Sequence, residues 1–352
     1  MSRFWSKTTK CITPYVPGEQ PRDKKYIKLN TNENPYPPST RVYDAIRDAN
    51  NSSIRLYPDP DATELKSALS AYYKVGADEV FVGNGSDEVL AFCFPAFFNR
   101  EDAICFLDIT YSFYPVYAEF FGVDYKTVSL RSDFTVPLDD FPECTRGIFL
   151  ANPNAPTGIA LDVTEIEALV ERLPNTLIIV DEAYVDFGAR SMVEITKKHD
   201  NLLVVQTFSK SRQMAGLRVG YAIGNTGLIE GLKRIKNSFN SYTLDRIAQK
   251  AAVAALEDDQ YFIRTCEKII KTREDAAKKL MELGFKVLPS KANFLFISHD
   301  KFSGKEIFSG LKREGILVRH FPRPRIDNWL RITIGTDEEM NILIEKLKDL
   351  ML

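Results

Sequence analysis

Short apolar runs alternate with amphipathic stretches along most of the chain after residue 63. The amphipathic stretches at 63–74, 112–121 and 164–173 place apolar residues at helical spacing. Strand-length runs stand between them: EVFVG, AICFL, DYKTVSL, RGIFLA, TLIIVDE, NLLVVQTFS and GYAIG. Most of these runs are continuously apolar, and such strands alternating with helices predict a mostly parallel sheet that is buried on both faces. Residues 86–98 are expected to form a helix with Ser86 as its N-cap.

The first 60 residues have a different pattern, because turn formers dominate TPYVPGEQPR, LNTNENPYPP and RLYPDPD. Such composition argues against a regular helix or a central strand. We expect an extended arm that wraps over a folded body. A disordered tail is the alternative, and the aromatic residues Tyr15, Tyr26, Tyr36 and Tyr57 argue against it.

The pattern changes again near residue 240. A long charged amphipathic segment at 243–283 predicts one or two helices, and short strands and helices follow it. We therefore expect three parts: an N-terminal arm (1–40), a large domain that carries the sheet (41–242) and a smaller C-terminal α+β domain (243–352).

Composition excludes several classes of protein. Of 352 residues, 44% are hydrophobic and 27% charged, as in a globular protein, and the net charge of −2 gives no general attraction to nucleic acid or to an anionic membrane. The scattered cysteines, Cys11, Cys93, Cys105, Cys144 and Cys266, favour reduced thiols and a cytoplasmic location. None of the three histidines lies near a cysteine or carboxylate at metal-ligand spacing, so we expect no metal site.

Polar residues follow the apolar strands where ligands bind in open α/β sheets. Asp181 ends LIIVD, and a buried carboxylate there needs a cationic partner. Lys210 follows NLLVVQTFS and is a candidate for Schiff-base chemistry. The alternative for Asp181 is that it caps the next helix, and the alternative for Lys210 is that it is a solvated loop residue.

Three further elements point to an anion. GNGSDE (83–88) places two glycines before a helix N-terminus, which suits a phosphate, and Ser209 and Arg218 flank a turn of small residues nearby. NPNAPTG (152–158) is a loop after a strand. Each signal is weak alone. Together they suggest one ligand, a cationic heteroaromatic ring that carries an aldehyde and a phosphate.

The ordered set ANPNAPTG, VDEAY, TFSK and AGLRVGY closely resembles the fold-type I pyridoxal-phosphate aminotransferases of class I/II. LNTNENPYPP, RLYPDP and LRITIGT are similar to the histidinol-phosphate aminotransferase branch, and the resemblance runs from about Tyr15 to the C-terminus. It implies an α/β fold with a mostly parallel seven-stranded sheet, a smaller α+β domain, and pyridoxal 5'-phosphate as cofactor.

The resemblance also assigns roles to residues. Lys210 matches the Schiff-base lysine, Asp181 the partner of the pyridine nitrogen, and Tyr184 the hydrogen-bond donor to the ring's phenolic oxygen. The phosphate cradle corresponds to Ser209, Arg218 and the amides of Gly85, Ser86 and Asp87. Tyr111 matches the aromatic residue that stacks on the cofactor ring, and Tyr57 matches a tyrosine that a second subunit contributes to the cofactor phosphate. Arg331 matches the arginine that binds the substrate anion, with Arg319 expected to assist it, and Tyr15 matches a contact to the substrate phosphate.

One position departs from the pattern. The family has Asn immediately before Pro-Thr-Gly, facing the phenolic oxygen, whereas this chain has Ala155 there. We expect Asn154 to supply the amide, and the alternative is that Asn154 is a turn residue. Packing roles are the alternatives for Tyr111 and Tyr57, and an ion pair with Asp327 is the alternative for Arg319.

The resemblance implies an enzyme that transfers an amino group between L-histidinol phosphate and 2-oxoglutarate in histidine biosynthesis. It also implies a homodimer with shared active sites. Alternatives on the same fold are a threonine-phosphate decarboxylase and an aromatic amino-acid aminotransferase. A regulator without catalysis would need a DNA-binding module, for which we find no spare length.

Overall fold

We analysed a computed structural model, which describes residues 2–143 and 145–351. The strands are β1 (Ile27–Lys28), β2 (Val80–Asn84), β3 (Ala103–Leu107), β4 (Asp124–Val128), β5 (Gly147–Ala151), β6 (Leu177–Asp181), β7 (Leu202–Thr207), β8 (Val219–Gly224), β9 (Phe285–Val287), β10 (Phe294–His299), β11 (Ile316–Leu317), β12 (Arg319–His320) and β13 (Trp329–Thr333). The α-helices are α1 (Lys7–Cys11), α2 (Thr40–Ala49), α3 (Thr63–Tyr73), α4 (Gly85–Phe97), α5 (Phe113–Phe121), α6 (Val163–Arg172), α7 (Thr226–Phe239), α8 (Arg246–Glu257), α9 (Asp259–Glu282), α10 (Gly304–Arg313) and α11 (Asp337–Met351).

The central sheet has seven strands in the order β2-β8-β7-β6-β5-β3-β4. The run β7-β6-β5-β3-β4 is parallel, and β8 lies antiparallel to both of its neighbours. Strands β5, β7 and β8 are buried along their whole length, since helices cover both faces. The predicted fold class is therefore confirmed.

The C-terminal part has its own apolar core around a four-stranded sheet, β12-β13-β10-β9. The arm adds to this part, because β1 pairs with β11 and Leu29 lies in the same core. The segment 243–283 forms two helices, α8 and α9. The expected boundaries at residues 40 and 242 stay predictions.

Two local predictions are wrong. The first 60 residues do contain a regular helix, α2, whose Val42 side chain is buried in the core of the large sheet. The prolines and asparagines on either side of 40–49 masked its helical spacing. Helix α4 begins at Gly85 after Asn84, so Ser86 lies in its first turn and is not the N-cap.

The rest of the first 60 residues includes an arm that lies on the folded body, as predicted. Residues 12–26 have no regular structure, but Glu19 pairs with Lys312 of α10 and Tyr15 stacks on Phe113 at 4.2 Å. The cysteines Cys11, Cys93, Cys105 and Cys266 are free thiols, and Cys144 lies outside the described residues. In the described part of the chain, no helix is long and apolar enough to cross a membrane.

Candidate active site

A cavity opens at the carboxyl ends of the parallel strands, between the sheet and the C-terminal part. Most of the residues that sequence analysis singled out line it: Tyr15, Ser86, Asp87, Tyr111, Asp181, Tyr184, Ser209, Lys210, Arg218, Arg319 and Arg331. Strands β3, β5, β6 and β7 all end at this edge, so their following loops converge here although they are far apart in sequence.

Asp181 is the buried acid at the bottom of the cavity. Its carboxylate accepts hydrogen bonds from the Tyr114 hydroxyl (2.9 Å) and from the Ala183 amide (3.1 Å). Burial raises the pKa of this carboxyl to about 6, and the two hydrogen bonds only partly oppose that rise. No cationic side chain of the described residues forms an ion pair with Asp181. The cation that the sequence led us to expect therefore has to come from a ligand.

Lys210 reaches into the same cavity from the loop after β7. Its Nζ donates a hydrogen bond to the Thr31 carbonyl (3.3 Å) and lies 5.7 Å from the centre of the Tyr184 ring. The Asn34 side-chain amide donates to the Lys210 carbonyl (2.9 Å), which fixes the lysine backbone. No carboxylate of the described residues lies within ion-pair distance of the amine. The amine is thus available to a ligand carbonyl.

Tyr184 projects from the loop after β6, and its ring packs edge-on against Phe294 at 5.1 Å. Its hydroxyl oxygen accepts a hydrogen bond from Asn32 Nδ2 at 2.9 Å. The hydroxyl proton of Tyr184 is therefore available to an acceptor in the cavity. Sequence analysis placed Asn32 only among turn formers and missed this contact.

The N-terminus of α4 forms one side of an anion cradle. The amides of Gly85, Ser86 and Asp87 are the first of the helix and have no carbonyl one turn earlier to accept them. Gly85 has a φ of +80°, and a side chain there would overlap the Arg218 guanidinium. Glycine therefore lets the arginine approach the helix end closely.

The other side of the cradle consists of Arg218 and two hydroxyls. Arg218 Nη1 lies 3.4 Å from Ser209 Oγ, which also accepts a hydrogen bond from Thr207 Oγ1 at 3.1 Å. Thr207 lines the cavity too, and sequence analysis missed it. A guanidinium, two hydroxyls and a helix N-terminus form a donor set that suits a phosphate dianion.

Asp87 contributes a carboxylate as well as an amide. It accepts hydrogen bonds from Arg218 Nη2 (3.0 Å) and from the Tyr111 hydroxyl (2.6 Å), so it orients both groups. Burial, reinforced by the Asp87 charge, holds the pKa of Tyr111 well above its usual range. The hydroxyl of Tyr111 is therefore neutral and committed to Asp87, and its ring faces the cavity.

Asn154 does not fit the expectation. Its Nδ2 donates to the Ile109 carbonyl (3.0 Å) and to Thr157 Oγ1 (3.1 Å), and its Oδ1 accepts from Thr110 Oγ1 (2.8 Å). The side chain is buried at 1% exposure, and Ala155 lines the cavity in its place. Both Nδ2 protons are thus used within the protein, by Ile109 and by the loop's own Thr157, which argues against the prediction that Asn154 supplies an amide to the cofactor.

Two arginines lie at the mouth of the cavity on neighbouring strands, Arg331 on β13 and Arg319 directly opposite it on β12. Arg331 packs over the Phe294 and Phe321 rings and donates to the Asn30 carbonyl (3.1 Å). Burial lowers the pKa of this guanidinium, and its Nε has no hydrogen-bond partner among the described residues.

Arg319 donates to the carbonyls of Val16 (3.1 Å) and Pro17 (3.3 Å) on the arm, and it does not pair with Asp327. Among residues 2–143 and 145–351, neither of the two arginines has a carboxylate within ion-pair distance. Two adjacent positive charges without a counter-ion repel each other, so an anion that binds between them is stabilising. Tyr15, which stacks on Phe113, lines the same cavity.

Tyr57 lies apart from the cavity of its own chain. Its side chain is 77% exposed and stacks on Tyr242 with ring centres 4.5 Å apart. Within its own chain Tyr57 therefore does not reach the cavity, and its expected role at the active site of a second subunit stays a prediction.

One histidine does have carboxylate neighbours, contrary to expectation. His199 Nε2 lies 3.4 Å from Glu167, and Glu171 is within reach of both. The Lys198 amine already pairs with Glu167 at 2.9 Å and lowers the pKa of that carboxyl. The fold brings these groups together from α6 and from the loop before β7, which sequence spacing could not show.

The cavity fits pyridoxal 5'-phosphate by its chemistry. A buried carboxylate without a cation suits a protonated pyridine nitrogen, the available Lys210 amine suits an aldehyde, and the cradle at Gly85 suits a phosphate. The residues that sequence reasoning missed, Tyr114, Asn32, Thr31, Asn34 and Thr207, are neighbours of these groups. The one sequence signal for Thr31, Asn32 and Asn34 is the asparagine-rich TNEN segment beside the turn formers.

Comparisons with known proteins agree with this chemistry. The pattern of the aminotransferase class I and II family matches residues 24–347. The histidinol-phosphate aminotransferase of Clostridium beijerinckii is 54% identical over 348 residues, which are 99% of this chain and 97% of that protein. Another from Brachyspira hyodysenteriae is 52% identical over 99% of both chains.

A solved structure shows the same fold. The histidinol-phosphate aminotransferase of Sinorhizobium meliloti, in complex with pyridoxal-5'-phosphate, aligns with a TM-score of 0.91 over 100% of this chain and 98% of that chain, at 24% identity. With its fold, its cavity and a family match that spans nearly its full length, this chain belongs to the aminotransferase class I and II family.

Proposed function

We propose that this protein is a pyridoxal-phosphate-dependent aminotransferase that converts L-histidinol phosphate and 2-oxoglutarate into imidazole acetol phosphate and L-glutamate. The observation that carries the proposal is a pair of arginines at the mouth of a cavity that fits the cofactor, with no counter-ion among the described residues. Relatives at 52–54% identity that bear this activity's name support it. The threonine-phosphate decarboxylase and the aromatic aminotransferase are not favoured.

The cofactor's proposed contacts follow from the cavity. Asp181 would hold the ring nitrogen, Tyr184 the phenolic oxygen and Tyr111 one face of the ring. The phosphate would lie in the cradle defined by Gly85 and Arg218. When bound, the cofactor withdraws electrons from the substrate's α-carbon and so makes its C–H bond acidic.

The residues of the chain would do the remaining work. Lys210 Nζ would take up the proton of the α-carbon, a role that typically contributes about 10²–10⁴-fold to the rate. Arg331 and Arg319 would bind the phosphate of one substrate and a carboxylate of the other in turn, since a guanidinium binds either group bidentately. Tyr15 would cover the substrate phosphate from the arm.

The proposal includes a homodimer in the cytoplasm. The exposed Tyr57 stacks on Tyr242, and Ile54 and Leu56, which precede it in the chain, are 54% and 51% exposed, so apolar groups form this surface. We propose that a second copy covers this surface and receives Tyr57 at its cofactor phosphate. The scattered free thiols support a reducing compartment.

A single-turnover experiment tests the activity. The protein loaded with pyridoxal phosphate is mixed with L-histidinol phosphate in the absence of a 2-oxo acid, and the products are quantified by chromatography. One equivalent of imidazole acetol phosphate per active site is expected, and later addition of 2-oxoglutarate should release one equivalent of glutamate.

Lys210→Ala should abolish both steps, whereas Lys278→Ala, at an exposed lysine of α9, should not change them. Carbon dioxide released from O-phosphothreonine, or turnover of phenylalanine with none of histidinol phosphate, would contradict the substrate assignment and leave the cofactor assignment intact.

A further inference from the structure

A buried side-chain amide links the arginine-bearing strand β13 to the hydroxyl of Tyr184. Asn32 is 1% exposed and lies between Thr333, two residues beyond Arg331, and Tyr184. The Asn293 amide donates to the Asn32 carbonyl at 3.0 Å and holds the backbone in place. No step of the proposed reaction uses Asn32 directly.

The directions of these hydrogen bonds follow from the donors and acceptors around Thr333. The Asn32 backbone amide donates to Thr333 Oγ1 at 2.9 Å, and the single proton of that hydroxyl goes to Asn32 Oδ1 at 3.0 Å. Nδ2 must then face Tyr184, whose oxygen it reaches at 2.9 Å. Because the Tyr184 oxygen is an acceptor there, its own proton points away from Asn32 and is available to the cavity that Tyr184 lines.

The loop at 152–158 makes this orientation more important. Its Asn154 amide is committed to Ile109 and Thr157, and Ala155 has no polar side chain to present to the cavity. The loop therefore supplies no side-chain donor beside Tyr184, and a wrongly oriented Tyr184 hydroxyl would have no replacement from that loop.

We propose that Asn32 is a positioning residue that directs the Tyr184 hydroxyl proton onto the phenolic oxygen of the cofactor. This inference rests on the proposed function, because it requires pyridoxal phosphate in the cavity. Thr333 sets the orientation of the Asn32 amide, so strand β13 both carries the substrate-binding arginine and orients this donor.

A purely structural role for Asn32 makes a different prediction. Its φ of +55° lies in the left-handed region, which asparagine tolerates better than most residues. If backbone conformation were its whole role, glycine would serve equally well. Asn32→Gly therefore keeps the backbone and removes only the amide.

The experiment uses the loaded protein in a double-mutant cycle of Asn32→Gly and Tyr184→Phe. Two quantities are measured: the affinity for pyridoxal phosphate, by equilibrium dialysis, and the pH midpoint of the visible absorbance change. A lost donor makes the phenolic oxygen more basic, so Asn32→Gly should raise the midpoint by up to about one unit and weaken binding by about two- to tenfold. In the Tyr184→Phe background, Asn32→Gly should change neither quantity.

Two further variants complete the test. Thr333→Val, which leaves residue 32 in place, should move the midpoint in the same direction by a smaller amount and only when Tyr184 is present. Asn201→Ala is the matched control, because its amide donates to the carbonyls of Val170, Leu173 and Thr176 near the opposite end of β7; it should leave the midpoint unchanged.

An unchanged midpoint in Asn32→Gly, or an equal shift with and without Tyr184, would overturn the positioning role and leave the proposed function standing. A wild-type protein that binds no pyridoxal phosphate would instead refute the proposed function.

Discussion

Replacing Asp181 by asparagine should stabilise the cofactor-free protein at alkaline pH, although it removes the proposed counter-ion of the cofactor. Burial raises the pKa of this carboxyl from 3.8 to about 6, so the folded protein holds the proton more tightly than the unfolded chain does. The resulting contribution to stability is fully present below pH 3.8 and is lost as the pH rises through about 6. Between those limits the loss amounts to about 3 kcal/mol.

Asparagine has the same shape and no charge, so it avoids that loss. It gives up one of the two acceptor oxygens that Tyr114 and Ala183 use, which costs about 1 kcal/mol. Asp181→Asn should therefore be less stable than the wild type by about 0.5 kcal/mol at pH 4 and more stable by about 2 kcal/mol at pH 8. The two stability curves should cross between these values.

Denaturant unfolding of both cofactor-free proteins from pH 4 to pH 8 measures the crossing. Saturating pyridoxal phosphate should stabilise the wild type more than the variant at pH 8, since the bound cation then pairs with the carboxylate. A constant offset between the two proteins at every pH would refute the reasoning, because it would show that the Asp181 charge costs nothing in the empty cavity.

Four other substitutions have defined outcomes. Lys210→Ala should lose transamination, measured as glutamate formation, and keep its far-ultraviolet circular dichroism. Arg331→Met should lower kcat/KM for histidinol phosphate about 10- to 100-fold, because charged hydrogen bonds to the substrate are lost. Gly85→Ala should weaken pyridoxal phosphate binding about tenfold or more in equilibrium dialysis, since its methyl group overlaps Arg218 at a positive φ. Asn154→Ala should lower the free energy of unfolding by about 1–3 kcal/mol in urea and leave cofactor affinity within about twofold, since its side chain bonds to Ile109, Thr110 and Thr157, none of which lines the cavity.

The sheet was predictable because its strands are apolar on both faces. Runs such as LIIVD and NLLVVQT admit few other structures between amphipathic helices, and their carboxyl ends place Asp181 and Lys210 at one edge. Helix α2 was not predictable in the same way, because turn-forming residues surround a ten-residue segment. Its burial against α8 decides its structure, and that contact joins residues about 200 positions apart.

The candidate site was predictable where a single residue type carries the chemistry, and not where a hydrogen-bond network decides the role. Lys210, Asp181 and Arg218 follow strands and line the cavity. Asn154 and Asn32 are both asparagines among turn formers, yet one closes a loop and the other contacts Tyr184. Only their partners distinguish them, and those partners include Ile109 and Tyr184, which lie in loops that follow other strands.

The hydrogen bonds between Arg319 and the N-terminal arm determine which sequence changes in the arm this enzyme tolerates. The acceptors are the main-chain carbonyls of Val16 and Pro17, and the Val16 side chain is 73% exposed. Because every residue type offers the same carbonyl, natural or laboratory evolution is free to alter these side chains without changing the ligands of the arginine. Deletion or insertion within the arm would instead move the carbonyls themselves, so selection should act on the arm's length and path more strongly than on its composition.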